Sequence, residues 1–194
     1  MNSKLLGSIL ALEWEMTRQV NEEARVKTSD DDKAVFAVMR YSQIEGWSED
    51  LLESIRSDLA FAWRMGRNLA MERSAHMLET TSPQDYAQLA SRLPKLDEAS
   101  ISLIEDIVEI FVAWREQTIE SLPELASFAE AIHTSDDWPD RISFETTLRS
   151  ELRTYSPETL KLFRDMAVEN KEQGVNLDTG HLLRAKERMK DKNH

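Results

Sequence analysis

The chain has 194 residues, of which 41% are hydrophobic and 31% charged, with a formal net charge of −12 and no cysteine. Because an acidic surface repels nucleic acid and anionic membranes, this charge excludes nonspecific binding to either. The lack of cysteine excludes disulfides, thiol catalysis and thiolate metal sites.

No stretch of the chain predicts a targeting or membrane segment. The opening "MNSKLLGSILALEWEM" brings in Glu13 and Glu15 before any cleavage site of a signal peptide. No apolar run approaches the roughly 20 residues that span a bilayer. We therefore expect a cytoplasmic protein with neither a nucleic acid nor a membrane as partner.

The hydrophobic pattern is helical along nearly the whole chain. In the first segment, apolar residues recur every three or four positions at Leu5, Ile9, Leu12, Met16 and Val20. The stretch "ISLIEDIVEIFVAW" at 101–114 has the same spacing, and no segment alternates apolar and polar residues between turn signals. We predict an all-α fold, a multi-helix domain of about eight to ten helices.

Short polar stretches interrupt this pattern, and two of them share one phrase. In chain order, the predicted breaks are "TSDDDK" at 28–33, "WSED" at 47–50, "GRNLA" at 66–70, "TSPQDY" at 81–86, "RLPKLDEAS" at 92–100, "HTSDDWPDR" at 133–141, "YSPE" at 155–158 and "GVNLD" at 174–178. We expect Gly66 and Gly174 to end a helix in the left-handed conformation, and Asn68 and Asn176 to cap the next helix.

The last segment is basic, unlike the rest of the chain. From His181 onward it carries Arg184, Lys186, Arg188 and two further lysines. We interpret these residues as the end of a last helix, where cations interact favourably with the helix dipole.

The shared phrase belongs to a longer internal match. Residues 32–69 and 140–177 align without a gap at an offset of 108, with nine identities in 38 positions, where typical residue frequencies give roughly two. We infer a single domain, 1–194, built from two similar helical units at 1–92 and 98–190. The alternative is coincidence, because unrelated capped helices also share serine, glycine and asparagine.

No catalytic or metal-binding string is present. The chain has no nucleophile elbow, no glycine-rich nucleotide loop and no helix with paired histidines, so we expect no cofactor and no metal. Glu72 and His76 lie one helical turn apart, and we interpret that pair as part of a solvated helix face.

Polar residues also occur on helix stripes that are otherwise apolar. Glu13, Arg40, Gln43 and Glu151 each have mainly apolar or aromatic neighbours three or four positions away, and Glu151 occupies the position of Gln43 in the second unit. Since a buried charge without a partner is costly, we expect Glu13 to pair with Arg40. Such residues form either an internal ion pair that fixes helix docking or a polar pocket between the two units.

Five stretches resemble the bacterial family called domain of unknown function 4125. They are "EWEM" at 13–16, "MRYSQ" at 39–43 followed by Trp47, "GRNLA" at 66–70, "ETTSPQDY" at 79–86 and "SFETTLRSELRTYSPETL" at 143–160. The resemblance covers nearly the whole chain and implies a helical protein of a family with no established activity. It implies recurring polar positions at Glu13, Arg40, Gln43, Arg149, Glu151 and Tyr155.

Two functions from different classes fit these observations. The first is a ligand-binding or protein-interaction module, with those six residues around a small polar pocket between the units. The alternative is an enzyme at the same interface, with a glutamate as acid–base group and an arginine that binds an anionic substrate. The sequence leaves open the ligand, the protein partner and the oligomeric state.

Overall fold

A computed structural model describes residues 3–192, with the backbone alone at 127–128 and 191–192. Its α-helices are α1 (Ser3–Glu23), α2 (Asp30–Ile44), α3 (Glu49–Arg64), α4 (Leu69–Thr81), α5 (Pro83–Leu89), α6 (Glu98–Ser121), α7 (Phe144–Leu152), α8 (Pro157–Glu172) and α9 (Leu177–Lys192). Short 3₁₀ helices lie at Ala90–Arg92, Pro123–Phe128 and Thr134–Asp136. Within 3–192 there are thus nine α-helices and no strand, so the all-α prediction is confirmed.

Side-chain caps explain where several helices begin. Ser29, Ser48, Ser143 and Ser156 each precede a helix and accept a hydrogen bond from a backbone N–H of its first turn. These N–H groups have no partner inside the helix, so a cap stabilises the start by about 1 kcal/mol. Ser82 precedes α5 without such a bond, and Pro83 sets that helix start instead.

The two glycine joints have the predicted backbone conformation. Gly66 and Gly174 both have a φ of 70°, a conformation that glycine adopts without steric cost. Asn68 accepts a hydrogen bond from the Met71 N–H at 3.0 Å and so caps α4. The cap expected from Asn176 stays a prediction.

The contacts divide the chain into two compact units. The first unit holds residues 1–71 and 177–194, and the second holds 72–176. The candidate sequence repeats, 1–92 and 98–190, are a different division and stay a prediction. The last helix therefore belongs with the first three, and most of α4 belongs with α5 to α8.

In the first unit, α1 packs against α2 and α3, and α2 packs against α9. Leu6, Ile9 and Met16 of α1 are fully buried. On another side of α1, Trp14 contacts Phe36 of α2, with ring centroids 5.5 Å apart.

In the second unit, the long helix α6 packs against α7 and α8. Phe111 lies edge-on against Trp114 and Phe163, with ring centroids 4.9 and 5.5 Å apart. Aromatic pairs prefer this geometry, because the positive ring edge meets the negative ring face. No helix in the described part of the chain is long and apolar enough to cross a bilayer.

Candidate functional site

The expected pair of Glu13 and Arg40 is present in the first unit. The Arg40 Nε lies 3.1 and 2.8 Å from the two carboxylate oxygens of Glu13, and its Nη2 lies 2.6 Å from Oε1. The Arg40 Nη1 donates to the Gln43 Oε1 at 2.7 Å, and the guanidinium lies over the Trp47 ring. The side chains of Arg40 and Glu13 are only 8% and 14% exposed.

This geometry fits a structural ion pair better than a vacant binding group. Both carboxylate oxygens of Glu13 and all three guanidinium nitrogens of Arg40 are already hydrogen-bonded to neighbouring side chains. Bidentate arginine–carboxylate pairs of this kind are strong and fix the geometry of both side chains. The pairing is confirmed, whereas a ligand-binding role for Glu13, Arg40 and Gln43 stays a prediction.

Glu151 and Tyr155 come together in the second unit. Both are buried, and the Tyr155 hydroxyl donates to the Glu151 Oε1 at 2.6 Å. Glu151 lies on α7 and Tyr155 just after its end, one helical turn apart. The expected approach of Glu151 to Gln43 and Arg40 stays a prediction.

Arg149, the sixth candidate, lines a shallow cleft of about 410 Å³ in the second unit. It donates to both oxygens of Glu105 at 2.9 Å and to Glu145 at 2.9 Å. The hydrogen bonds to Glu105 are the main cause that raises the pKa of Arg149. On the other side of Glu145, the His133 Nδ1 lies 3.9 Å from its carboxylate.

This cleft is acidic, because four glutamates line it with only Arg149 and His133 as basic side chains. Burial acts to raise the pKa of Glu145, but hydrogen bonds from the Thr134 amide and from Arg149 outweigh it and hold the pKa below its usual value. Glu145 is therefore a bound carboxylate at neutral pH and a poor proton donor. The described residues contain no group of three or more histidine, aspartate or glutamate side chains placed to hold a metal ion.

A larger cleft in the second unit has a different character. It is open, measures about 980 Å³, and lies between α4, the segment before α7, and α7 itself. Its lining residues are Arg73, Met77, Ala129, Glu130, Ala131, Asp136, Pro139, Asp140, Arg141, Ile142 and Thr147. We call it the Arg73 cleft.

Two buried nitrogens on α4 lack hydrogen-bond partners. Nothing in the described part of the chain accepts a bond from the Arg73 Nε, or pairs with the Nδ1 of His76 one turn later. His76 is 6% exposed, so its interpretation as part of a solvated face is wrong. Burial lowers the pKa of His76, with a smaller contribution from Arg153, so the ring is neutral at pH 7.

The fourth helix of the first unit, α9, has no such vacancy at its arginines. Arg184 donates to the Ser42 carbonyl at 3.1 and 2.9 Å, and Arg188 binds Glu45 at 2.9 and 2.8 Å. These partners lie at the carboxyl end of α2, where carbonyls are unpaired and cations are favoured. Arg184 and Arg188 of the basic segment thus bind the carboxyl end of α2. From the sequence we instead expected them to interact with the dipole of their own helix.

Sequence reasoning missed Arg73 and Arg141 altogether. Arg73 lies between Leu69, Ala70 and Met77 on its helix, the same signal that singled out Arg40, and could have been found in that way; Arg141 lies in a polar break with no such signal. The cleft joins α4 to a segment more than 50 residues later, so no local pattern signals it.

The described residues form an all-α protein with a closed Glu13–Arg40 ion-pair cluster and an open cleft that holds an unsatisfied arginine. The chain belongs to the family described as Protein of unknown function (DUF4125), whose model matches residues 3–189. This match confirms the resemblance found in the sequence. No curated protein and no solved structure matches the chain.

Proposed function

We propose that the protein is a ligand-binding module and that the Arg73 cleft is its binding site. The observation that carries this proposal is the Arg73 Nε, a buried donor beside an open cleft with no acceptor among the described residues. Leaving a buried donor unsatisfied costs about 1–3 kcal/mol, more for a charged group. An anionic ligand in the cleft does not need to reach this buried nitrogen: by binding the part of the same guanidinium that lines the cleft, it would offset the cost of the unpaired charge.

Four other partly buried arginines differ from Arg73, and this contrast supports a binding role for the Arg73 cleft. Arg40, Arg149, Arg153 and Arg188 each lie within 4.0 Å of a carboxylate oxygen. These four arginines are paired with carboxylates, whereas Arg73 has no ion pair among the described residues. Perturbed or unsatisfied groups in a cleft favour a binding site over a purely structural role.

The enzymatic alternative has weaker support. It needs Glu13 or Glu151 as an acid–base group and Arg40 or Arg149 to hold an anion. Glu13 and Arg40 are bound to each other, Arg149 is bound to two carboxylates, and Glu151 accepts from Tyr155. Binding without chemistry requires none of these groups to be released.

We also propose that the two halves arose by duplication and that their fourth helices are exchanged. Glu45 and Arg153, which are 108 positions apart, are the C-cap residues of α2 and α7. Glu45 binds Arg188 on α9, and Arg153 binds Glu79 on α4, so both C-cap residues form an ion pair with another helix of their own unit, with opposite charges and partners one position out of register. In a crystal structure, residues 32–69 and 140–177 should superimpose, and helices that fail to overlay would refute the duplication.

A thermal-shift screen of metabolites against the purified protein tests the binding proposal. A ligand at one hundred times its dissociation constant should add about 2.7 kcal/mol, which raises the midpoint by roughly 5–11 °C in a chain of this size. The matched variants are Thr147→Phe, which fills the cleft, and Gln88→Phe on exposed α5. Ligand shifts that persist in Thr147→Phe, or no shift with any compound, would contradict the proposal.

A further inference from the structure

The Arg73 cleft contains two arginines that are not neutralised by the protein. Arg73 makes no ion pair with any carboxylate that the structure describes, and Arg141 reaches only the backbone carbonyl of Asp136, at 3.3 Å. Three acidic side chains, Glu130, Asp136 and Asp140, line the same cleft, but no ion pair joins any of them to Arg73 or Arg141 among the described residues. The cations thus remain available although the chain has acidic side chains nearby.

Arg73 is buried on one side and lines the cleft on the other. The residue is half-buried and its Nε is inaccessible, while the side chain lines the open cleft. A guanidinium presents a planar fork of N–H donors that matches the oxygens of a carboxylate or phosphate. Because a buried charge without a partner is unfavourable, an oxyanion at this point gains more than it would at an exposed arginine.

The rest of the cleft fits an organic body attached to that oxyanion. Met77, Pro139 and Ile142 supply apolar wall, and Thr147 supplies a hydroxyl that both donates and accepts. The volume of about 980 Å³ is that of a pocket for a small molecule.

The comparison of the two units adds an internal control. His76 occupies the position on α4 that Arg184 occupies on α9, 108 residues later. Arg184 is satisfied by the Ser42 carbonyl, whereas the Nδ1 of His76 and the Nε of Arg73 are not satisfied by the described residues. Among the described residues, these two unpartnered buried side-chain nitrogens both lie on the helix that borders the cleft.

We propose that the Arg73 cleft binds a small organic oxyanion, a carboxylate or a phosphate monoester with an apolar body, through Arg73 and Arg141. This inference rests on the proposed binding function and gives its ligand class. The chemistry shared by the two anions is a set of oxygens that accept from guanidinium N–H groups.

Four probes of one skeleton test the charge preference: benzoate, phenyl phosphate, benzamide and benzylamine. Thermal shift and calorimetry should detect benzoate or phenyl phosphate, and the stronger of the two identifies the source of the oxyanion. The neutral amide and the cationic amine should bind at least tenfold more weakly, because they lose a charge-assisted hydrogen bond.

Variants then locate the contact. Arg73→Gln and Arg141→Gln should each weaken binding of the preferred anion, by on the order of ten- to hundredfold for Arg73. Arg92→Gln, an exposed arginine outside the cleft, should leave it unchanged. Because Arg73→Gln can affect folding, its unligated midpoint is measured, and the exposed Arg141→Gln provides an independent variant. The ¹⁵N resonance of the Arg73 Nε should move on anion addition.

The outcomes separate this inference from the function on which it rests. Equal binding of benzamide or benzylamine in the cleft overturns the anion preference and leaves ligand binding intact. Anion binding that survives both arginine variants overturns the assignment of the site. If none of the four probes binds but a neutral metabolite does, only the inference fails; if nothing binds, both proposals fail.

Discussion

Replacing Arg40 by methionine tests whether the Glu13–Arg40 cluster is a structural lock. Methionine keeps an unbranched apolar stem but removes three hydrogen bonds to Glu13 and one to Gln43. The Glu13 carboxylate, on a side chain only 14% exposed, would lose this partner. Removing one member of a buried ion pair costs about 3–5 kcal/mol, because it leaves an uncompensated charge.

That loss is large compared with the stability of a typical domain, about 5–15 kcal/mol. At roughly 2–4 °C per kcal/mol for a chain of this size, the thermal midpoint should fall by about 6–20 °C. Calorimetry at pH 7 measures the midpoint, and urea unfolding gives the free energy independently. The matched control is Arg18→Met on α1, which removes the more exposed pairs with Glu15 and Glu22 and should lower the midpoint by only a small fraction of that amount.

The double variant Glu13→Leu with Arg40→Met completes the cycle. An apolar pair of similar volume often replaces a buried ion pair without loss, so the double variant should recover most of the stability. A double variant as unstable as Arg40→Met alone, or an Arg40→Met that behaves like the control, would refute the reasoning.

Three further outcomes follow from the described contacts. Gly66→Ala and Gly174→Ala should each lose roughly 1 kcal/mol or more in denaturant unfolding, since both have a φ of 70° and open space around the Cα, whereas unchanged midpoints would contradict the left-handed joint. Arg188→Gln and Glu45→Gln should each destabilise the chain, and the double variant should lose less than the sum of the two, because the Arg188–Glu45 pair is removed only once; strictly additive losses would contradict that pair. Glu45 also binds Arg184, so Glu45→Gln should cost more than Arg188→Gln. Burial lowers the pKa of His76 in the folded state, so the unfolded chain binds the proton more readily: stability should be complete above about pH 6.5 and decline below it, and His76→Phe should flatten this slope between pH 7 and 5. If His76→Phe leaves the slope of stability against pH unchanged, other titrating groups cause that slope.

Features that depend on neighbours in sequence were predictable. Ser48 caps α3 and Gly66 ends it, because a cap bond or a left-handed residue involves only the adjacent turn. The Glu13–Arg40 pair was predictable for a different reason. Each residue interrupts an apolar stripe, and the cost of burying either charge alone requires a partner of the opposite sign.

Features that depend on distant segments were not predictable from local patterns. Arg184 and Arg188 look like the ordinary cationic end of a helix, but their partners Ser42 and Glu45 come about 140 residues earlier. His76 looks exposed beside Glu72, and only the packing of α4 in the second unit buries it. In both cases the contacting residue is far away in the sequence, whereas a helical pattern compares only residues within a few turns of one another.

The first unit is formed by two segments from opposite ends of the chain, so it cannot be completed until the last helix has been synthesised. Residues 72–176 are continuous and can fold as soon as they have been synthesised, whereas α2 receives its contacts from α9 only after another 130 or so residues have been added. At roughly 5–20 residues per second, the carboxyl end of α2 waits about 7 to 28 seconds for Arg184. During that interval the Ser42 carbonyl and the Glu45 carboxylate have only water as partners, so the half of the molecule that is translated first is the half that is completed last.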